Sequence, residues 1–286
     1  MESLAMIEQW PVPRAAAAVI PADGGPVAFH GPVTERFPLA SVTKPLAAWA
    51  MLIAIEEGAI ELDEPAGPKG STVRHLLAHT SGLAFDERRE MAEPGTRRLY
   101  SNAGFEVLAE HIDEATGMSF PEYLRQAVLE PLGMTSTELR GSPAKDAVST
   151  VEDLTRFAAE LQSPRLLDST TVAEATRPVF PGLNGVLPGF GQHKPNDWGL
   201  GFEIRGTKSP HWTGSLSSPR TFGHFGQSGT FLWVDPDAGV AAVAVTDRDF
   251  GPWAGVVWPR FTDAILREWR GGPAAERESV PAADAG

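Results

Sequence analysis

The sequence contains no cysteine among its 286 residues. Disulfide scaffolds, thiol catalysis and cysteine-ligated metal sites are therefore excluded together. Basic residues are also scarce, since 24 lysines and arginines stand against 37 aspartates and glutamates, which gives a formal net charge of -13. An excess of negative charge repels polyanions and anionic lipid surfaces. We therefore expect neither nucleic acid nor a membrane as a partner.

Long apolar runs are missing as well. The longest, residues 45–55, is much shorter than the roughly 20 residues that a membrane-spanning helix needs. The first residues, MESLAMIEQWPVPR, include Glu2 and no uninterrupted apolar stretch, unlike a signal peptide. The sequence therefore predicts a soluble, cytoplasmic protein.

Strand patterns lie near the two ends of the chain. RAAAAVIPADGGPVAFHG reads as two short strands around a turn, and GTFLWVDPDAGVAAVAVTD reads as a second hairpin. Between them, helical patterns open on serine, a frequent helix cap, in STVRHLLAH, SNAGFEVLAEHIDEATG, SFPEYLRQAVLEPLG and STVEDLTRFAAEL. Residues 164–196 are rich in proline and glycine and are predicted to form a loop. VVWPRFTDAILREWR predicts a last amphipathic helix.

This order of elements predicts an α/β fold of the α+β type. An antiparallel sheet built from both chain ends would be flanked by helices and would carry an inserted, mainly helical lobe. We expect one domain over residues 1–272, with the α/β lobe at about 1–60 and 200–270 and the helical lobe at about 61–199. Residues 273–286 have the composition of a disordered tail. A cleft between the lobes would follow.

FPLASVTKPLAAWAMLIAIEEG places Ser41 three residues before Lys44 at the start of an apolar helix. Positions i and i+3 share a helix face, so the amine can lie beside the hydroxyl. For Lys44 to act as a base, its pKa must fall from about 10.4 to near 7. The alternative is an ordinary capping serine, because a Ser-x-x-Lys match arises by chance about once in a chain of this size. Ser142 and Lys145 form such a second match, in a Gly/Pro segment without a long buried helix behind it.

Five blocks in order resemble the serine β-lactamase and penicillin-binding protein superfamily, closest to class C enzymes and their esterase and DD-peptidase relatives. By this resemblance Ser41 is the nucleophile and Lys44 its partner in proton transfer. The likeness covers most of the chain and is carried by FPLASVTKPL, STVRHLLAHTSGL, EPGTRRLYSNAGFEVLAEHIDEATGMSFPEYLRQAVLEPLGM, VSTVEDLTRF and FGHFGQSGTFLWVDPDAG.

The resemblance implies a second motif, Tyr-x-Asn, which Tyr100 and Asn102 match. Tyr100 would be the base or would share the proton with Lys44, and Asn102 would donate to Lys44 or to the substrate. The two titratable groups would then form a coupled pair. The alternative is a packed tyrosine beside a capping asparagine.

The third motif of such families is Lys-Thr-Gly or a His-containing variant, and His224 begins the stretch that we assign to it. Gly226 would let the substrate approach the backbone, and the amides of Gln227 and Ser41 would form the oxyanion hole. His224 would supply a proton-sensitive dipole or a charge. His211 is a rival, but His224 is favoured because it leads directly into the second hairpin.

Phe225 departs from the family pattern, because it replaces a threonine whose hydroxyl usually helps to hold the carboxylate of a β-lactam or acyl-peptide. Together with a His224 that is partly neutral near pH 7, this change favours a neutral ester or amide. We therefore expect a serine hydrolase of carboxylesterase type that forms an acyl-enzyme. The alternatives are a β-lactamase or D-Ala-D-Ala carboxypeptidase, and a non-catalytic relative that binds an acyl compound or a protein.

No cofactor and no metal are expected for this chemistry. His75 and His79 have the i, i+4 spacing of a two-ligand metal face, but no acidic residue lies between them and no third ligand is apparent. The resemblance gives this segment a structural role beneath the cleft. The predicted partner is a small ester, amide or lactam, and no pattern indicates an oligomeric state.

Overall fold

The computed structural model, which describes residues 1–271, contains a six-stranded antiparallel sheet made from both ends of the chain. Its strand order is β2-β1-β11-β10-β9-β8. The strands are β1 (Ala15–Pro21), β2 (Ala28–His30), β8 (Glu203–Ile204), β9 (Phe222–Gly226), β10 (Thr230–Asp235) and β11 (Val240–Thr246). The predicted tail, residues 273–286, lies outside the described residues.

The central strands are apolar on both faces because both faces of the sheet are covered. In β1, Ala18 and Ile20 face one core, whereas Ala17 and Val19 face the other, as the two-residue period of a strand requires. Helix α5 (Val151–Gln162) packs on the first face. Helix α7 (Pro252–Gly271) packs on the second face, together with a 3₁₀ helix at the N-terminus (Glu2–Gln9).

The remaining helices lie in the middle of the chain, and the first of them is the most buried. They are α1 (Thr43–Glu56), α2 (Val73–Leu77), α3 (Asn102–Thr116), α4 (Phe120–Leu124), which continues into a π-helical turn (Arg125–Leu129), and α6 (Ser169–Ala175). Two small sheets complete the described residues, one formed by β3 (Phe37–Pro38), β4 (Glu138–Leu139) and β5 (Ala147–Ser149), and the other by β6 (Gly185–Leu187) and β7 (Gly191–His193).

Helix ends follow the signals in the sequence. Ser101 caps α3 by accepting the Gly104 amide at 3.0 Å, and Gly117 ends the helix with a φ of +68°. Thr150 caps α5 by accepting the Asp153 amide. Capping therefore sets the start of the helix that follows Tyr100.

The predicted fold class and both predicted hairpins are confirmed. The prediction that residues 164–196 form only a loop is wrong, because this stretch contains α6 and the β6–β7 hairpin. These elements are short and interrupted by glycine, so they lack a long hydrophobic period. The proposed domain and lobe bounds stay predictions. Within residues 1–271, no helix combines the length and the apolar character needed to cross a membrane.

Candidate active site

Ser41 lies in a short 3₁₀ turn, Ala40–Val42, that leads directly into α1. Ala40 has a φ of +45°, a left-handed conformation that is unfavourable for a residue with a side chain. Residues 43–54 of α1 are all buried, whereas Ser41 keeps partial exposure. The serine is therefore presented to a cavity from the end of a firmly packed helix.

The turn between β9 and β10, with the strand ends beside it, holds the serine turn in place. The Thr230 hydroxyl donates to the Leu39 carbonyl at 2.9 Å, and the Ser228 hydroxyl donates to the Pro38 carbonyl at 2.7 Å. A Cβ atom on Gly226 would lie 2.4 Å from the Leu39 carbonyl oxygen, so any side chain here would displace the backbone. The predicted third motif thus packs directly against the serine turn.

The Lys44 amine is completely buried in the first turn of α1. It donates to Asn102 Oδ1 at 2.5 Å and to the Ala144 carbonyl at 3.0 Å. It also lies 4.5 Å from the centre of the Tyr100 ring. Because both acceptors are neutral, burial dominates and lowers the pKa of Lys44 well below its ordinary value. Burial thus favours the neutral amine, which is the form that can accept a proton from a hydroxyl.

Tyr100 lies just before α3 among other rings. Its ring centre is 4.5 Å from that of His79 and 5.5 Å from that of Trp198. This enclosure raises the pKa of the Tyr100 phenol, against the opposing effect of a hydrogen bond with Ser41. Tyr100 is therefore a neutral phenol at physiological pH and can donate its proton.

The tautomer of His224 follows from its partners. Nδ1 lies 2.7 Å from the Phe225 carbonyl oxygen, which can only accept, so Nδ1 carries the proton. Nε2 remains an acceptor and lies 3.5 Å from the Tyr100 hydroxyl. Burial, reinforced by the nearby Lys44, lowers the pKa of His224 to about 3. The prediction that part of the His224 population is charged near pH 7 is therefore wrong, and this residue supplies a dipole only.

The structure brings the seven predicted site residues together. One cavity of about 160 Å³ is lined by Ser41, Tyr100, His224 and Gln227. Beneath this cavity, Lys44 donates a hydrogen bond to Asn102. Gly226 packs against the serine turn. The other walls are mostly apolar and include Phe85, Leu187, Pro188, Trp198, Phe225 and Phe250.

The rival histidine, His211, belongs to a different cluster. Its Nε2 lies 2.9 Å from Glu203 Oε2, which also accepts from Trp212 Nε1 at 2.9 Å. The other oxygen of Glu203 accepts from Lys208. His211 is therefore held in a buried ion-pair cluster and does not line the Ser41 cavity.

The two other histidines of interest have separate neighbours. His75 stacks on Phe180, with ring centres 4.5 Å apart. His79 accepts the Ser101 amide through Nδ1 at 3.2 Å and lies against Tyr100. Burial lowers the pKa of His79 well below its ordinary value. His79 is thus a neutral support for the tyrosine.

A beta-lactamase family model matches residues 12–266 of this chain. The chain belongs to the beta-lactamase family. The resemblance carried by the five sequence blocks is thereby confirmed.

Known proteins and solved structures are similar to this chain to different degrees. A crystal structure of a beta-lactamase from Mycobacterium bovis shares 57% identity at a TM-score of 0.92, covering 93% of this chain and 99% of that chain. EstCE1, a hydrolase with promiscuous acyltransferase activity, shares the fold at a TM-score of 0.75 and 18% identity over 93% of this chain and 99% of its own. Penicillin-binding protein 4* of Bacillus subtilis is 28% identical over 42% of this chain and 37% of its own length. The chain spans between 37% and 55% of the length of the curated relatives that it matches.

The sequence analysis did not identify the neighbours of Lys44 that orient Asn102 and affect the pKa of the lysine. Asp86 accepts from Asn102 Nδ2 at 2.8 Å, which directs the amide oxygen of Asn102 towards Lys44. Lys145 lies 4.0 Å from Asp86, and Ala144 beside it supplies the carbonyl that Lys44 contacts. After burial, the charge of Asp86 raises and that of Lys145 lowers the pKa of Lys44. The second Ser-x-x-Lys match thus contacts the lysine of the first.

Proposed function

We propose that this protein is a serine hydrolase of carboxylesterase type that acts on neutral esters or amides through Ser41, Lys44 and Tyr100. One observation carries the proposal: the cavity that exposes Ser41 adjoins a buried lysine whose hydrogen-bond acceptors are both neutral. Burial lowers the pKa of this lysine and so suits it to act as a base. A base close to a serine is the usual arrangement for covalent catalysis.

Each step of the proposed reaction has a group to perform it. As Ser41 Oγ bonds to the carbonyl carbon, its proton passes to Lys44 Nζ and the carbonyl oxygen takes the π electron pair. By the family resemblance, the amides of Ser41 and Gln227 bind that oxyanion. The oxyanion then re-forms the carbonyl as the bond to the leaving oxygen or nitrogen breaks. Tyr100 protonates that atom and regains a proton from Lys44. Water attacks the acyl-enzyme by the reverse route, which releases the acid and restores Ser41.

The cavity favours substrates without a negative charge. His224 is neutral above a pKa of about 3, and Phe225 places an aromatic ring where the family has a hydroxyl. Within the described part of the chain, no lysine or arginine lines this cavity. The one carboxylate in its lining, Glu203, is already bound by Lys208 and His211. An anionic substrate therefore finds no free cation at this cavity.

A β-lactamase or D-Ala-D-Ala carboxypeptidase activity is the second candidate. It is supported by the 57% identity to a protein called a beta-lactamase and by the match to a penicillin-binding protein. The third candidate is a non-catalytic relative that binds an acyl compound. The complete set of Ser41, Lys44 and Tyr100 argues against it.

Hydrolysis of p-nitrophenyl acetate and butyrate, compared with nitrocefin, separates these candidates. We expect ester hydrolysis that disappears in Ser41→Ala, with much slower nitrocefin turnover. Faster turnover of nitrocefin than of the esters would favour the second candidate. No turnover of either, together with no fluorophosphonate adduct, would favour the third.

A further inference from the structure

A second cavity opens beside the Ser41 cavity and is larger, at about 400 Å³ against about 160 Å³. The two cavities share Phe85, Tyr100 and Pro188 as walls. Because Tyr100 borders both, a carbonyl that reacts with Ser41 lies where a substituent can extend into either space. Only the second cavity reaches the size of typical pockets for small organic ligands, about 300 Å³ or more.

One wall of the second cavity is firmly attached to the segment that leads to Tyr100. The Arg98 amide donates to the Asn184 carbonyl at 2.9 Å. The buried guanidinium of Arg98 donates to the carbonyls of Val179 at 2.8 Å and Asn196 at 3.1 Å. A Cβ atom on Gly185 would lie 2.6 Å from the Arg98 carbonyl oxygen. The β6–β7 hairpin is therefore docked closely here, and the cavity is preformed.

Apolar side chains are concentrated at the mouth of the second cavity. Six large hydrophobic residues within 1–271 expose 40% or more of their surface, and three of them line this cavity: Phe85 at 53%, Met91 at 51% and Val186 at 58%. Leu83 and Leu99 line it as well. Clustered apolar exposure around a concave surface is typical of a ligand site. The lining also contains Arg89, Arg97 and Arg98. Arg89 is paired with Glu87 and the Arg98 guanidinium is bound by backbone carbonyls, so the apolar side chains provide most of the contact surface for a ligand.

We propose that the second cavity binds one long or bulky apolar substituent of the ester, while the Ser41 cavity takes the small substituent on the other side of the carbonyl. This inference rests on the proposed hydrolase function. It narrows the substrate class to esters that carry one large and one small substituent on the two sides of the carbonyl. The large substituent is either the acyl chain or the alcohol, which present the same apolar chemistry to the cavity.

Two series of esters test the inference and separate the two sources of the substituent. p-Nitrophenyl esters from acetate to decanoate lengthen the acyl chain, and alkyl acetates from ethyl to octyl, followed by acid release, lengthen the alcohol. We expect kcat/KM to rise about threefold to fourfold for each of the first few methylenes in one series and to fall in the other. A rise in neither series, with the short esters still hydrolysed, would overturn this inference alone. Failure to hydrolyse any ester would instead overturn the proposed function.

The double variant Met91→Ser/Val186→Ser then assigns the preference to this cavity. Both side chains are largely exposed, so the fold should persist. We expect acetate hydrolysis within about twofold of the unmodified protein and a loss of about tenfold on the favoured long ester. Phe29→Ser is the matched control, because Phe29 is 44% exposed on β2, away from the lining of either cavity.

Two outcomes with these variants would contradict the inference. The first is an equal loss on short and long esters in the double variant. The second is a change from dimer to monomer in sedimentation without any change in chain-length preference, which would make the apolar mouth a contact between two copies of this chain.

Discussion

Two buried lysines in this chain have contrasting surroundings. Lys208 is 3% exposed and donates to the carboxylate of Glu203. Lys44 is 0% exposed, and its acceptors are the neutral oxygens of Asn102 and Ala144. The two side chains are equally hidden from water, but only Lys208 has a bound counter-ion.

The contrast shows in their pKa values. Burial lowers the pKa of both lysines, but the Glu203 charge opposes the decrease at Lys208, whereas Lys44 falls well below its ordinary value. A buried amine without a bound carboxylate adds little to stability, and strongly shifted pKa values are frequent at functional sites. The absence of a bound counter-ion, rather than burial itself, therefore distinguishes a candidate base from a structural lysine.

Lys44→Met should have the largest effect on activity and only a small effect on stability. We expect kcat to fall by about 10²–10⁴, as in Ser41→Ala and Tyr100→Phe, because the three side chains act as a unit. The free energy of unfolding should fall by only about 1–2 kcal/mol, because two buried acceptors lose their donor while no buried charge is left unpaired. Ester turnover and urea unfolding measure the two effects. Near-full activity in any of the three variants would refute the assignment.

Lys208→Met should show the opposite pattern. It leaves the buried Glu203 carboxylate without its lysine, so we expect the free energy of unfolding to fall by about 3 kcal/mol. Turnover per folded molecule should fall far less than in Lys44→Met, because Lys208 lines neither cavity and acts on the Ser41 cavity only through Glu203. Urea unfolding and active-site titration check this prediction. If Lys208→Met remains folded but loses activity as completely as Lys44→Met, the distinction between a catalytic Lys44 and a structural Lys208 is wrong.

Substitutions at Asp86 and at Lys145 should shift the acid limb of the pH–rate profile in opposite directions. This limb is the pH range in which activity rises as Lys44 loses its proton. The Asp86 charge favours protonated Lys44, so Asp86→Asn should lower the pKa of Lys44 and move the limb to lower pH. Lys145→Gln removes a repelling charge and should move it to higher pH. Both side chains are about half exposed, so each shift should be below about one pH unit. Shifts in the same direction would show that the limb does not belong to Lys44.

His224→Gln should have the smallest effect on the pH profile. With a pKa of about 3, the His224 imidazole is already neutral above pH 4, so its removal should leave the acid limb between pH 5 and 9 in place. The glutamine amide keeps an acceptor for the Tyr100 hydroxyl, and kcat should fall only about tenfold or less. Loss of the limb in this variant would assign it to the histidine.

Local patterns predicted much of the fold. The serine turn, the buried helix behind it and the cap at Ser101 each leave a signature within a short stretch of sequence. The family resemblance then brought Tyr100 and His224 to the same site. These features were accessible because each depends on a few neighbouring residues or on a motif in a fixed order.

The parts that were missed depend on contacts between distant segments. Asp86 reaches Asn102, and Ala144 reaches Lys44, only after the chain has folded. The charge state of His224 depends on desolvation, which a motif does not specify. The second cavity depends on the hairpin that carries Val186, in a stretch that the proline and glycine content assigned to loop.

The rate of fluorophosphonate labelling against pH, followed by intact mass, shows whether a neutral Lys44 activates Ser41. We expect a single adduct that is absent in Ser41→Ala. Its rate should increase with pH through one ionisation well below 10.5, the ordinary pKa of a lysine. An adduct that persists in Ser41→Ala, or a rate that begins to rise only near pH 10, would contradict a neutral Lys44 acting on Ser41.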